Sequence, residues 1–342
     1  MLTHLKSNFS FLLVLTLLLG SCTDSPHETK IIGFTMGTSY SVQLTDSHSD
    51  IQKDALKQKI TQRLDTINFL MSTYDKTSQL SEFNQSREIG WHAVDRELAE
   101  LVTLALQVSE FSNGAFDITI GPLVNLWGFG PSETAFKFPS EVEIAIALKS
   151  VGYQHLQARL EPPALNKNRV DLYVDLSAIA KGYAVDEIAK ILDDNSIENY
   201  MVEIGGEVKG KGVAPHGQPW RIGIETPKAQ RGKIEEIISL NNVGVATSGD
   251  YRNFIEHEGK RFSHTIDPRT GYPVSHNLGS VTVLNESTAI ADAWATAFLV
   301  MGPAQTHHIS NKNKIAALLL AHDNGQSKST ASDVMKTFLV DH

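Results

Sequence analysis

The chain contains a single cysteine, Cys22, and it lies just behind the only long apolar run of the sequence, residues 9–20. No disulfide can form among the remaining residues, so the folded part must be stabilised by its hydrophobic core. A chain of 342 residues that is 41% hydrophobic and 20% charged can bury such a core. Its 24 glycines and 12 prolines exclude collagen-like and disordered chains. The lone cysteine also excludes a thiol mechanism and a cysteine-based metal site.

A basic start, an apolar centre and a small-residue exit characterise the first 22 residues. His4 and Lys6 precede the apolar run, which is too short for an ordinary membrane span, and Leu19-Gly20-Ser21-Cys22 follows it. The segment resembles a bacterial lipoprotein signal, whose cysteine is acylated and becomes the first residue after cleavage. An ordinary signal peptide, or a buried helix with a chance cysteine, is the alternative. The lipoprotein interpretation predicts a chain anchored by lipid to a bacterial membrane and facing the periplasm or the cell exterior. Its parts are then signal peptide 1–21, tether 22–30 and folded domain 31–342.

The charge balance bears on possible partners. Thirty Lys and Arg against 39 Asp and Glu give a net charge of −9. That is the wrong sign for a surface that neutralises nucleic-acid phosphates, so we expect no nucleic-acid partner. A polyphosphate ligand would need a local device such as a cation or a helix N-terminus.

Hydrophobic periodicity predicts helices and strands in irregular alternation. The helices predicted are 50–71, 96–111 with Asp95 as N-cap, a short one from a Ser140/Glu143 capping box, one opening at Ser177, and 287–301 with Ser287 as N-cap. The strands predicted are 31–44, 170–176, 200–204, 220–225, 237–240, 243–247 and 281–284. This order favours an α+β fold of mixed and antiparallel sheets packed with helices over a doubly wound sheet.

A strand end and a helix start meet in Asp175-Leu-Ser-Ala-Ile-Ala-Lys-Gly-Tyr-Ala-Val-Asp186. Gly182 and several alanines allow close approach, and the unpaired N–H groups of the helix start can receive an anion. Most strand-to-helix joints share these properties and bind nothing, so the segment alone does not decide between structure and function.

Asp292 and Thr296 lie four positions apart in a predicted helix, so their oxygens project from one face among small alanines. A hard cation such as Mg²⁺ takes oxygen ligands of this kind, completed by water and substrate phosphates. The alternative is an exposed aspartate near a helix N-terminus, favoured by the helix dipole, and the spacing alone favours that alternative.

His264 precedes a predicted turn, Pro268-Arg-Thr-Gly271, and on a strand it would share a face with Phe262 and Ile266. It could be a satisfied core histidine. It could also be a general base, because imidazole accepts a proton near neutral pH. The sequence leaves both interpretations open.

Six motifs occur together in one order. They are Gly114-Ala-Phe-Asp117, the segment from Asp175 to Asp186, Glu203-Ile-Gly-Gly-Glu207, Ala246-Thr-Ser-Gly-Asp-Tyr251, Ser263-His-Thr-Ile-Asp-Pro-Arg-Thr-Gly271 and Ala291-Asp-Ala-Trp-Ala-Thr296. From about Gly33 to Leu320 the chain resembles the FAD:protein FMN transferases, the ApbE family, once labelled thiamine biosynthesis lipoproteins. The resemblance implies a single catalytic domain with the ApbE-like, T-fold-related form of the α+β class over residues 31–342.

The resemblance also implies a reaction. Members of the family use Mg²⁺ to transfer FMN from FAD to a threonine hydroxyl of an exported redox protein, at a Ser/Thr-Gly-Ala-Thr type motif, forming a phosphoester and releasing AMP. An FAD pyrophosphatase giving FMN and AMP, and a flavin-binding lipoprotein without catalysis, are the alternatives.

Carried over by resemblance, the site residues fall into four groups. The metal ligands implied are Ala178 through its carbonyl, Asp292 and Thr296, and the base implied is His264. The FAD contacts implied are Met36, Tyr74, Ala115, Phe116, Asp117, Asp175, Lys181 and Ile266. The pair Gly205-Gly206 also matches, as backbone close to a ligand or as a tight turn.

Overall fold

The structure is a computed structural model that describes residues 28–45, 50–130, 137–226, 233–249, 254–257, 260–323 and 326–340. Cys22, the predicted signal peptide and most of the predicted tether lie outside these ranges. Within them, no helix combines the length and the apolar character needed to cross a bilayer.

Helices and strands alternate irregularly along the described chain. The strands are β1 Thr29–Thr35, β2 Thr38–Leu44, β3 Gly90–Ala93, β4 Leu156–Leu160, β5 Pro163–Lys167, β6 Tyr200–Ile204, β7 Glu207–Lys211, β8 Trp220–Glu225, β9 Ile234–Leu240, β10 Val243–Gly249, β11 Phe254–His257, β12 Lys260–Ser263, β13 Leu278–Asn285, β14 Ala316–Asp323 and β15 Gln326–Ala331. The helices are α1 Asp50–Met71, α2 Gln79–Gln85, α3 Arg96–Phe111, α4 Gly121–Leu126, α5 Glu141–Leu148, α6 Ala180–Asp194 and α7 Thr288–Lys312, with short 3₁₀ turns at Tyr153–His155 and Met335–Thr337.

The central element is an eight-stranded sheet in the order β1-β2-β6-β7-β10-β13-β14-β15. Every neighbouring pair in it is antiparallel. Smaller sheets, β3-β5-β4, β8-β9 and β11-β12, surround it. Such an antiparallel sheet needs cover on one face at least, and its strands then alternate between buried and open positions.

The alternation of residues along β2 shows which face of the sheet packs on the main core and which face borders a cavity. Tyr40, Val42 and Leu44 are buried in the main core, together with apolar side chains of α1, α3, α6 and α7. Ser41 and Gln43 point to the opposite face and line a cavity. Farther along the sheet, that opposite face is covered by a second apolar cluster, which includes Trp220, Val245 and Met335.

The strongest sequence signals are confirmed. Helices α1 and α3 have the predicted bounds, and the Asp95 side chain accepts a hydrogen bond from the Glu97 N–H. Ser140 and Glu143 form the predicted capping box. Ser287 caps α7 as predicted, and the regular part of that helix ends near the predicted Met301, because Gly302 has a φ of 75° and Pro303 follows it.

Two local predictions are wrong at the joint before α6. Residues 170–176 do not form a strand, because the Val174 N–H and carbonyl bond the side chain of Asn84 and the Asp175 N–H bonds the Ile118 carbonyl. Ser177 does not cap α6. The helix begins at Ala180, and Ser177 instead donates its N–H and its hydroxyl to the Asp175 carboxylate.

The strand predicted around His264 is also shorter than expected. β12 ends at Ser263, and beyond it Ile266 makes an isolated bridge with Pro273. His264 therefore follows the strand and does not share a strand face with Phe262 and Ile266. The Asp267 carbonyl accepts from the Gly271 N–H, which closes the predicted turn.

Candidate active site

A cavity of about 830 Å³ opens where the N-terminal end of α6 and the first turns of α7 meet strands β2, β6 and β10. Its volume is in the range of small-molecule sites. All but one of the residues implied by the resemblance line it. They are Tyr74, Ala115, Phe116, Asp117, Asp175, Ala178, Lys181, Gly205, Gly206, His264, Ile266, Asp292 and Thr296. Met36 is the exception.

Met36 sits at the turn between β1 and β2, with a φ of 48°, next to Gly37 with a φ of 71°. Its side chain is partly buried against the main core. It does not line the cavity, so a contact with FAD stays a prediction for this residue.

Asp292 is buried in the cavity wall, with 4% of its surface exposed, so the exposed-aspartate interpretation is wrong. Its Oδ2 accepts a hydrogen bond of 3.1 Å from the Gly182 N–H of α6. One turn farther along α7, the Thr296 hydroxyl lies 3.0 Å from the Ser248 hydroxyl of β10. Burial raises the pKa of Asp292, while the Lys181 ammonium and the Gly182 N–H oppose that shift.

The Asp186 carboxylate fixes the start of α7 against α6. It accepts from the Ser287 hydroxyl at 2.9 Å, the Thr288 hydroxyl at 2.8 Å and the Ala289 N–H at 3.1 Å. Lys209 of β7 donates to the same carboxylate at 2.8 Å. A carboxylate is favourable at a helix N-terminus, where it satisfies unpaired N–H groups. These contacts fix the start of α7 and therefore the position of Asp292, one turn farther along the helix.

Gly182 allows the two helices to approach closely. A Cβ at this position would lie 2.3 Å from the Thr288 carbonyl oxygen and 2.8 Å from the Ala289 Cα. Both are backbone atoms of α7, which cannot rotate away. The glycine is therefore the residue that lets the N–H of α6 reach the Asp292 carboxylate.

Lys181 and Glu207 form an ion pair beside Asp292, with 2.6 Å between Nζ and Oε1. Glu207, with 2% exposed, opens β7 just after the Gly205-Gly206 turn. Burial and the Asp292 carboxylate raise the pKa of Glu207, and Lys181 opposes them. Burial favours a lower pKa for Lys181, but the carboxylates of Asp292 and Glu207 outweigh it and raise that pKa.

The Gly205-Gly206 pair is both a tight turn and a part of the cavity wall. Their φ values of 59° and 105° lie in the left-handed region that favours glycine. A Cβ at Gly205 would lie 2.8 Å from the Thr38 side chain and 3.4 Å from Lys181 Cδ. The turn thus brings the backbone close to the ion pair.

Asp117 and Asp175 line the cavity, but their carboxylates are engaged by the chain itself. Asp117 accepts from the Thr119 N–H and hydroxyl and from the Tyr153 N–H. Burial raises the pKa of Asp117, and these hydrogen bonds oppose the rise. Tyr74, 67% exposed, lies at the rim, where burial and the Asp175 carboxylate raise its pKa.

The His264 side chain is half-buried in the cavity wall and packs edge-to-face on Phe129, with 6.1 Å between ring centroids. Ile266 is buried with Trp127, whose Nε1 donates to the Gly271 carbonyl at 2.9 Å. This apolar cluster packs the segment that carries His264 against the cavity.

Comparisons with known proteins identify the family of this chain. A model of the ApbE family matches residues 36–319. The chain belongs to the ApbE family. It is 40% identical over 332 residues to the FAD:protein FMN transferase of Vibrio cholerae, covering 97% of this chain and 99% of that protein. It is 38% identical over 321 residues to the FAD:protein FMN transferase of Escherichia coli K12, covering 93% and 91%.

Solved structures of the ApbE family share the fold. The flavin transferase ApbE from Vibrio cholerae superimposes with a TM-score of 0.85 at 39% identity, covering 92% of this chain and 99% of that chain. The flavinyl transferase ApbE from Pseudomonas stutzeri, in its apo form, gives 0.83 at 36% identity, covering 91% and 96%. The single-domain α+β fold predicted from the sequence is thereby confirmed.

In this ApbE-family chain the donor set around Asp292 fits a hard cation. The residues implied as ligands offer oxygens only, from the Asp292 carboxylate, the Thr296 hydroxyl and the carbonyl of Ala178 just before α6, and all three residues line the cavity. Mg²⁺ prefers oxygen ligands and keeps places for water and phosphate. In the described ranges, no group of three or more His, Cys, Asp or Glu side chains could hold a metal.

The sequence reasoning missed Glu207 and Ser248 as individual site residues. Both fall inside motifs that carry the family resemblance. The signal that could have found Glu207 is a carboxylate placed directly after two glycines and followed by an apolar strand residue, Val208, which makes a buried acid at a turn. Ser248 carries no comparable local signal, because its contact with Thr296 spans 48 residues.

Proposed function

We propose that this protein transfers FMN from FAD to a threonine hydroxyl of an exported redox protein, in a reaction that requires Mg²⁺ and releases AMP. Flavin transfer itself follows the relatives, whose names are FAD:protein FMN transferase. The observation that carries the proposal for this chain is that Asp292, Thr296 and Lys181 line the same cavity, where the Gly182 N–H next to Lys181 bonds the Asp292 carboxylate. A diphosphate bound there would meet a cation site and an ammonium group.

The chemistry is a phosphoryl-type transfer. The acceptor threonine oxygen forms a bond to the phosphorus that carries riboflavin, and the bond from that phosphorus to the bridging diphosphate oxygen breaks. AMP leaves with that oxygen, and the threonine proton passes to a base. Such reactions depend on positioning and on neutralisation of the charge that develops on the leaving oxygen.

Each role is assigned to a residue of the cavity. Asp292, Thr296 and the Ala178 carbonyl would hold Mg²⁺, which when bound neutralises the diphosphate and orients its oxygens. Lys181 adds positive charge beside the same phosphates. His264 would accept the threonine proton, since it lies in the cavity wall and an imidazole titrates near neutral pH.

A direct test incubates the purified protein with FAD, Mg²⁺ and an acceptor protein bearing a Ser/Thr-Gly-Ala-Thr segment. We expect flavin fluorescence on the denatured acceptor and one AMP per flavin attached. An acceptor with alanine at the threonine is the control and should stay unlabelled. Asp292→Asn should lower the rate about a hundredfold or more, because a metal ion contributes several kcal/mol to such a reaction. Labelling that continues without Mg²⁺ would contradict the proposal.

The same assay without acceptor separates the alternatives. A transferase should leave FAD intact, whereas a pyrophosphatase would release FMN and AMP into solution. Tight FAD binding with no AMP under any condition would indicate a flavin-binding protein without catalysis. His264 in the cavity wall supports a catalytic role, because a storage protein needs no base.

The proposal includes the location of the chain. Acylation of Cys22 would place the domain on the outer side of a bacterial membrane, within reach of exported redox proteins. Cys22→Ser should move the protein from the membrane fraction to the soluble fraction and abolish incorporation of labelled fatty acid. Retention in the membrane by the serine variant would speak against a lipid anchor.

A further inference from the structure

The Glu207 carboxylate is buried, and its burial cannot be explained by a gain in the stability of the fold. Its Oε1 accepts from Lys181 at 2.6 Å, but within the described ranges its Oε2 is buried without a hydrogen-bond partner. A buried polar atom in this state destabilises a fold by about 1–3 kcal/mol. Such exceptions are rare and often occur where a residue serves a function.

Lys181 lies near two buried carboxylates, those of Glu207 and Asp292, and near the less buried Glu203. The Asp292 carboxylate is near enough to raise the pKa of Lys181, yet among the ion pairs of the described residues Lys181 is paired with Glu207 and not with Asp292. Among the hydrogen bonds of the described residues, the Asp292 carboxylate accepts one, at Oδ2 from the Gly182 N–H. A cation at Asp292 and an ammonium group at Asp292 would compete for the same oxygens.

We propose that Glu207 is a positioning residue, whose buried carboxyl group holds the Lys181 ammonium away from Asp292 and so keeps Asp292 accessible to a divalent cation. The inference rests on the cation site of the proposed function. Without Glu207, Lys181 would turn to Asp292, the buried carboxylate that remains beside it, and a cation would have to displace it. Glu207 would then act on cation binding without touching the cation or the substrate.

The test uses Glu207→Asp and Glu207→Gln. The aspartate keeps a carboxyl group but is shorter by one methylene, so it tests reach separately from charge. The glutamine keeps the length and removes the charge, and it replaces the aspartate variant should that one fail to fold. In crystals of either variant grown without metal, we expect Lys181 Nζ at about 3 Å from an Asp292 carboxylate oxygen.

The second measurement is Mn²⁺ binding, followed in the presence of FAD by the paramagnetic resonance signal of the free ion. We expect the dissociation constant of Mn²⁺ to rise about fivefold or more in Glu207→Asp, because an ion pair must be broken before the cation binds. The matched control is Asp193→Asn. Asp193 pairs with Lys211 at 2.9 Å, again between α6 and β7. It lies twelve residues beyond Lys181, about 18 Å along the helix, so its loss should leave Mn²⁺ affinity unchanged.

The outcomes separate this inference from the proposed function. Lys181 remaining away from Asp292 in both variants would overturn the inference, as would Mn²⁺ affinity within twofold of the wild type. In either case the wild-type cation site would stand. Should Asp292→Asn bind Mn²⁺ as tightly as the wild type, the cation site itself would be refuted, and the inference with it.

Discussion

Replacing Gly182 by alanine tests the contact on which the site is built. Helix propensity alone predicts that this change in α6 stabilises the protein by about 1 kcal/mol. The structure predicts the opposite sign. The new Cβ would lie 2.3 Å from the Thr288 carbonyl oxygen, whereas ordinary contacts begin at 3.4 Å, so α6 and α7 must separate by about 1 Å.

The magnitude follows from three contributions. Overpacking costs about 1–3 kcal/mol, and the upper end applies because the opposing atoms are backbone. The displacement also weakens the Gly182 hydrogen bond to Asp292, which contributes about 1 kcal/mol. The propensity gain offsets about 1 kcal/mol. We therefore expect Gly182→Ala to lower the free energy of unfolding by about 2–3 kcal/mol.

Urea denaturation followed by far-ultraviolet circular dichroism measures this loss. Lys190→Ala, on the exposed side of the same helix, is the control and should change stability by less than about 0.5 kcal/mol. Mn²⁺ affinity should fall as well, because the separation of the helices moves Asp292 of α7 away from the Ala178 carbonyl just before α6. A Gly182→Ala protein as stable as the wild type, or more stable, would refute the close approach of α6 and α7.

Two further predictions concern a buried lysine and a partly buried histidine outside the cavity. Lys167, fully buried, donates from Nζ to two backbone carbonyls at the end of α2, so Lys167→Met should destabilise the protein by about 2 kcal/mol in urea titrations. Burial and the nearby Arg87 lower the pKa of Lys167 in the folded protein below 10.5. At pH values between that lowered pKa and 10.5, the unfolded chain therefore binds more protons than the folded chain. The wild type should therefore gain stability over the methionine variant as the pH rises through this window. His276 Nε2 lies 2.7 Å from the Leu299 carbonyl, which the proline four residues on cannot satisfy. His276→Ala should therefore lower the melting temperature and reduce the free energy of unfolding by about 1–2 kcal/mol. His276→Gln keeps a donor and should reduce it by less. Equal losses of stability in the two variants would exclude the hydrogen bond as the cause.

Local patterns predicted the elements that carry their own signals. The bounds of α1 and α3 could be predicted because apolar spacing and the Asp95 cap lie within the segments themselves. Residues 170–176 show the same alternation as a strand, but their backbone groups bond the side chain of Asn84, 90 residues earlier. No window of local sequence contains that partner, so the pattern predicted a strand that does not form.

The site could be predicted from local sequence even less than the fold, because the burial and the charge environment of its residues depend on contacts with residues far away in the sequence. Asp292 in its own helix is best interpreted as an exposed acid near an N-terminus, and that interpretation is wrong because Gly182, 110 residues earlier, lets α6 press against α7 and bury it. The family resemblance located Asp292 because six motifs in order carry long-range information that periodicity lacks. It did not single out Glu207, whose partner Lys181 lies in another motif 26 residues away. The burial that distinguishes Glu207 from a surface acid exists only once β7 and α6 have packed together.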